Sequence, residues 1–81
     1  MFCTSKTNKK RIMLDPTQVE EFVSAATKCA FDVDVYYNRY VVDAKSILGV
    51  FGLDLTKPLT VEYYGSDENF ESYLNGLAIA G

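Results

Sequence analysis

Histidine is absent from this chain, and so is tryptophan. Without imidazole there is no His general base, no His metal ligand and no phosphohistidine intermediate. Two cysteines, Cys3 and Cys29, are too few for a disulfide framework. They are also too few for a four-ligand zinc site that lacks histidine. They read as reduced thiols, which places the protein in the cytosol. Cys29 reads as a small hydrophobe packed at the inner end of a helix. No apolar run approaches the roughly 20 residues of a membrane-spanning helix, so no membrane insertion is expected. Residues 1–14 contain no apolar core of a secretory leader. Gly49 and Gly52 are not followed by the Lys-Ser/Thr pair that a phosphate-binding loop needs. These absences leave no catalytic constellation, no metal site and no cofactor motif, and the expectation is a protein that is not an enzyme.

What is present is a small, aromatic-rich chain of 81 residues, 48% hydrophobic, with six Tyr and five Phe. That is enough for one domain, expected over residues 1–81, with a thin core. The hydrophobic content excludes disorder. The net charge is −3. Lys6, Lys9, Lys10 and Arg11 put +4 on the first fourteen residues, and the remainder carries −7. A basic run this small on an acidic chain reads as a solvated strand and loop, and no nucleic-acid partner is expected.

Residues 2–9, rich in Thr, Ser and Lys, read as an edge strand. Asp15 and Pro16 supply a favoured N-cap and a favoured first helical residue, and Gln18 stands where it completes a capping box. Val19, Phe22, Val23, Ala26 and Ala30 then recur at helical spacing, predicting a helix over about 16–28. From Phe31 to Tyr37 the period falls to two, as in a half-buried strand. Asn38 and Arg39 form a two-residue turn into a second strand, Tyr40 to Val42. Ser46 caps a helix of one to two turns containing Ile47, Leu48, Val50 and Phe51, ended by Gly52. Leu59, Val61 and Tyr63 alternate with polar residues in a fourth strand. A final helix over roughly 67–79 shows Phe70, Tyr73, Leu74 and Leu77 on one face. Strand, helix, strand, strand, helix, strand, helix is the order of an α+β fold: a four-stranded, mainly antiparallel sheet with helices on one face. Strand parity puts Asp32, Asp34 and Glu62 among the tyrosines of the other face, which argues further against nucleic acid.

The run Val42, Asp43, Ala44, Lys45, Ser46, Ile47, Leu48, Gly49, Val50, Phe51 resembles the HPr family. HPr is the small phosphocarrier of the bacterial phosphoenolpyruvate-dependent sugar phosphotransferase system. In that family a strand ends in a Lys-Ser-Ile-Met-Gly-Val or similar run. The resemblance extends as element order and spacing from about residue 2 to 79. It implies an open-faced β-sandwich of four strands and three helices. HPr carries its phosphate on a histidine capping the first helix, in a Gly-x-His-Ala-Arg-Pro-like loop. Laid back from Phe22 and Val23, that loop falls on Met13 to Gln18, with Met13 for the Gly, Asp15 for the His and Thr17 for the Arg. The resemblance is therefore to a degenerate member without the active-centre histidine.

Two residues hold alternatives open. Asp15 reads as a helix cap, favoured by the helix dipole. It also reads as an acyl-phosphate acceptor, a chemistry that needs cations to offset its charge. Ser46 matches the serine that an ATP-dependent kinase phosphorylates in many Gram-positive HPr proteins. Catabolite repression HPr likewise lacks the histidine and keeps this serine. Ser46 is thus a regulatory phosphorylation site or only a cap. Ile47, Leu48 and Phe51 match the family's partner-docking surface; on so short a helix they cannot all be buried. The implied partners are a serine kinase and proteins of the sugar phosphotransferase system or a transcription regulator. The alternatives are a phosphocarrier acting through Asp15 and a purely structural interaction module.

Overall fold

The computed structural model describes residues 8–79. The sheet is built from β1 (Asn8–Ile12), β2 (Val33–Tyr37), β3 (Tyr40–Asp43) and β4 (Leu59–Tyr63), in the order β1-β4-β2-β3. Every pairing is antiparallel. The helices are α1 (Val19–Thr27), α2 (Ile47–Phe51) and α3 (Glu68–Leu77). The element order implies an α+β fold with helices on one face of the sheet, the resemblance implies an open-faced sandwich, and the structure is both.

Strand parity selects the covered face. Ile12 pairs with Leu59, and Val35 pairs with both Val61 and Val42, which places them all on one side. On that side lie Ile12, Val33, Val35, Leu59, Val61 and Tyr63, all buried. The helices close it with Val19, Phe22 and Ala26 of α1, Val50 of α2, and Phe70 and Leu74 of α3. Tyr63 sits between two rings, with Phe70 edge-on at 5.5 Å and Phe31 stacked at 6.3 Å. Burial pushes the Tyr63 hydroxyl up to about 12, with the Glu71 carboxylate adding to it. Gly65 is required by the Phe31 ring, since a Cβ there would stand 2.2 Å from it. Cys29 is buried as expected, and burial with the nearby Asp67 carboxylate pushes its thiol up. Cys3 lies outside the described residues.

Several boundaries move. The first strand runs over 8–12 where 2–9 is read from sequence, and residues 2–7 lie outside the described ones. Asn8–Ile12 has one apolar residue, so nothing local marks it as a strand. Its partner β4 and the burial of Ile12 make it one. The first helix opens with a 3-10 turn, Pro16–Gln18, before α1 begins. Phe31 falls outside β2 and packs its ring over Gly65 instead of joining the ladder. The last helix stops at Leu77, because Ala78 turns extended and bridges to Ile12. Leu77 C=O then accepts from Met13 N–H at 3.1 Å, and Ile79 N–H donates to Arg11 C=O at 3.1 Å. The chain so covers part of the outer edge of β1. No described helix is long and apolar enough to cross a membrane.

Candidate functional site

Asp15 and Ser46 both occupy N-cap positions, and their surroundings differ. Asp15 adopts extended backbone and its carboxylate accepts from Thr17 N–H at 3.2 Å. Gln18 Oε1 accepts from Asp15 N–H at 3.0 Å, which completes the expected capping box. The carboxylate is exposed and makes no ion pair among the described residues. Met13, Leu14, Pro16, Gln18 and Leu55 join it around a shallow depression of about 370 Å³. Neither lysine nor arginine lines that depression, and no cluster of acids or cysteines able to hold a metal ion exists among the described residues. Thr17 is exposed and uncharged.

Ser46 Oγ accepts from Gly49 N–H at 3.2 Å and is otherwise open to solvent. The residues before it are tightly held. Asp43 Oδ1 accepts from Lys45 N–H at 2.9 Å, and Asp43 C=O accepts from Ser46 N–H at 2.9 Å. Lys45 Nζ reaches back 3.1 Å to Cys29 C=O just beyond α1, where a cation complements the end of the helix. Ala44 is fully buried, and so is Val50 on the inner side of α2. Gly49 permits the close approach of α2 to β3: a Cβ there would meet Ser46 Oγ at 3.3 Å and Val42 Cβ at 3.4 Å. α2 is thus pinned through Val50 and the Ser46 cap, and its remaining apolar residues have nowhere to go but out.

Those residues are Ile47 at 37% exposure, Leu48 at 82% and Phe51 at 49%. Ile47 and Phe51 share a side at i, i+4. Leu48 leans the other way, towards a groove of about 440 Å³ between α2 and β3, lined also by Tyr37, Tyr40, Val42 and Leu53. This groove and the depression at Asp15 share no lining residue. Tyr40, 66% exposed, is read from the sequence only as one of the strand tyrosines, and Val41, 53% exposed, is not singled out at all. No local signal marked this edge, because β3 lacks an outer neighbour only through the pairing of β4 between β1 and β2.

The face of the sheet away from the helices carries a polar network. Tyr36 hydroxyl donates to Glu62, and Tyr64 hydroxyl donates to Asp34 Oδ2 at 3.2 Å. Hydrogen bonding to the Glu62 carboxylate, then to Tyr64, drives the Tyr36 hydroxyl well above its ordinary range. Glu62 is itself buried. The tyrosine hydroxyls are therefore committed to carboxylates on the same face, a poor platform for stacking an anionic strand.

No family model matches the chain, and no curated protein matches it. A solved structure does: the crystal structure of a phosphocarrier protein HPr from Bacillus anthracis str. Ames. It aligns with a TM-score of 0.67 at 23% identity, over 90% of this chain and 98% of that one. At that identity the match shows the architecture, and the fold of this chain is HPr-like.

Proposed function

We propose that this protein is a docking and regulatory module of the HPr type, with no phosphocarrier or other enzymatic activity of its own. Its partners are a serine kinase and proteins of the sugar phosphotransferase system or a transcription regulator, in the cytosol. The observation that carries the reading is the disposition of α2. One side is anchored by fully buried Val50, while Ile47, Leu48 and Phe51 stand exposed beside an accessible serine. Burying three such side chains in a partner removes enough apolar surface to drive binding, at roughly 25 cal/mol per Å² before the costs of association. A phosphate on Ser46 Oγ would add about −1.5 to −2 charges next to Ile47 without requiring the helix to unfold. It would favour a partner that presents arginine and repel one that presents an apolar or acidic surface.

Two measurements test this. Incubation with ATP and an HPr serine kinase should add one phosphate to the wild type and none to Ser46→Ala, read by intact mass. Equal phosphorylation of both would refute the switch. Incubation with phosphoenolpyruvate and the upstream enzyme of the phosphotransferase system should add nothing. A hydroxylamine-labile adduct lost in Asp15→Asn would instead establish an acyl-phosphate carrier.

A further inference from the structure

The two outer strands of the sheet are protected very differently. β1 carries Lys9, Lys10 and Arg11, and its outer edge is partly paired by residues 77–79. Lysine-rich or covered edges are how sheet proteins prevent unwanted pairing. β3 has neither device. Its sequence is Tyr-Val-Val-Asp, of high strand propensity, and nothing among the described residues pairs with its outer side.

The register shows which groups are free. The hairpin turns through Asn38 and Arg39, with Tyr37 opposite Tyr40 and Val35 opposite Val42. Asn38 has φ of 53°, and no other described non-glycine residue is positive. That is the requirement of a type II′ turn, positive at its first central residue only. In such a hairpin Tyr40 and Val42 turn their main-chain groups to β2, and the bond from Ala44 N–H to Val33 C=O at 2.9 Å continues that alternation. Val41 therefore directs both N–H and C=O away from the sheet. Its side chain and that of Tyr40 are exposed, and the groove lined by Tyr37, Tyr40, Val42 and Leu48 runs along the same edge.

We infer that this edge recognises a second copy of the chain, with two β3 strands pairing antiparallel about a two-fold axis through Val41. The geometry is self-complementary. Val41 opposite its own copy makes two main-chain hydrogen bonds in a closely spaced pair. Moving out from the centre, Tyr40 of each protomer falls opposite Val42 of the other, on the helix side, where the groove receives the ring. One further step places Asp43 opposite Arg39, an acid against a base at both ends. Any other register loses this match, and a one-residue slip sends Tyr40 to the wrong face. The result is a continuous eight-stranded sheet across two molecules. Four residues of strand make a small interface, so the dimer is a weak one, with a dissociation constant of roughly 10 μM to 1 mM. Leu48 borders the groove and is shared with the docking surface, while Ser46, Ile47 and Phe51 take no part in the pairing, so its failure would leave the docking reading standing.

Sedimentation equilibrium of the full chain, with amide hydrogen exchange of Val41 read at low and high concentration, tests the inference. Expected is a monomer–dimer equilibrium in that range and slower exchange of the Val41 amide as the dimer forms. Val41→Pro removes only an outward N–H, which an edge strand tolerates, and should leave a folded monomer. Arg39→Asp should raise the dissociation constant at least about tenfold. If Val41→Pro does not fold, the charge pair decides. A wild type still monomeric at about 1 mM, a folded Val41→Pro that dimerises as tightly, or an Arg39→Asp without effect overturns the proposal.

Discussion

The 3-10 turn that leads into α1 and the start of α2 use the same device, and the two helices end in opposite relations to solvent. Asp15 accepts from Thr17 N–H at one and Ser46 accepts from Gly49 N–H at the other. After the first cap, Val19, Phe22 and Ala26 are all fully buried. After the second, only Val50 is, and Phe51 keeps 49% of its surface exposed. Length explains part of this. Nine residues let α1 lay a whole stripe along the sheet, whereas five residues of α2 give it room for one inward anchor. The rest is the sheet itself, whose covered side is filled by α1 and α3 before α2 arrives at β3. The contrast teaches that a cap reveals where a helix starts and nothing about whether its apolar residues serve the core or a partner.

Substitutions that separate the two faces sharpen that contrast, and the largest effect belongs to α1. Phe22→Ala should cost about 3–5 kcal/mol of stability in a denaturant titration, because it empties a fully buried site. A loss below about 1 kcal/mol would erase the distinction between the helices. The covered side also has a pH signature. Tyr63 ionises near 10 in the unfolded chain and only at about 12 in the folded one. Its stabilisation is full below pH 10 and declines as pH rises through 12, by about 2–3 kcal/mol in total. Tyr63→Phe should flatten that decline in stability curves taken from pH 8 to roughly pH 12.

Smaller effects come from the caps. Asp15→Ala and Ser46→Ala should each cost roughly 0.5–2 kcal/mol, the range for a lost N-cap acceptor. Asp15→Ala should fall in the upper part, because the reciprocal Gln18 bond is disturbed with it. The smallest change in stability, within about 0.5 kcal/mol, is expected for Leu48→Asp, at the 82% exposed second residue of α2. The same variant should abolish binding to the serine kinase, measured by calorimetry. A Leu48→Asp protein that unfolds would show that α2 belongs to the core, and one that binds as well as the wild type would remove Leu48 from the docking surface.

The capping box at Asp15 and Gln18, the turn at Asn38 and Arg39, and the period-two strands were readable because each rests on neighbours within four residues. Cys29 was readable as a small hydrophobe at the inner end of the first helix, and the shortness of α2 showed that Ile47, Leu48 and Phe51 could not all be buried, without saying which would be exposed. The end of β1 was set three residues short because Lys10 and Arg11 break any apolar alternation; pairing with Leu59, Thr60 and Val61 across the ladder gives residues 10–12 a strand's geometry. Phe31 matched the β2 pattern and left it because Gly65, 34 positions away, opens a space for its ring. The end of α3 was overrun for a similar reason, since the pull on Ala78 and Ile79 comes from Ile12 and Arg11.

Residue order by itself determined the chemistry available to this protein. A chain without imidazole cannot relay phosphate through histidine, and a serine before Ile-Leu-Gly-Val-Phe is set to cap a short helix. Which apolar residues would be spent on the core, and which sheet edge would stay bare, was decided only when distant segments met. Burial and strand pairing depend on partners far along the chain, and no local pattern carries their positions.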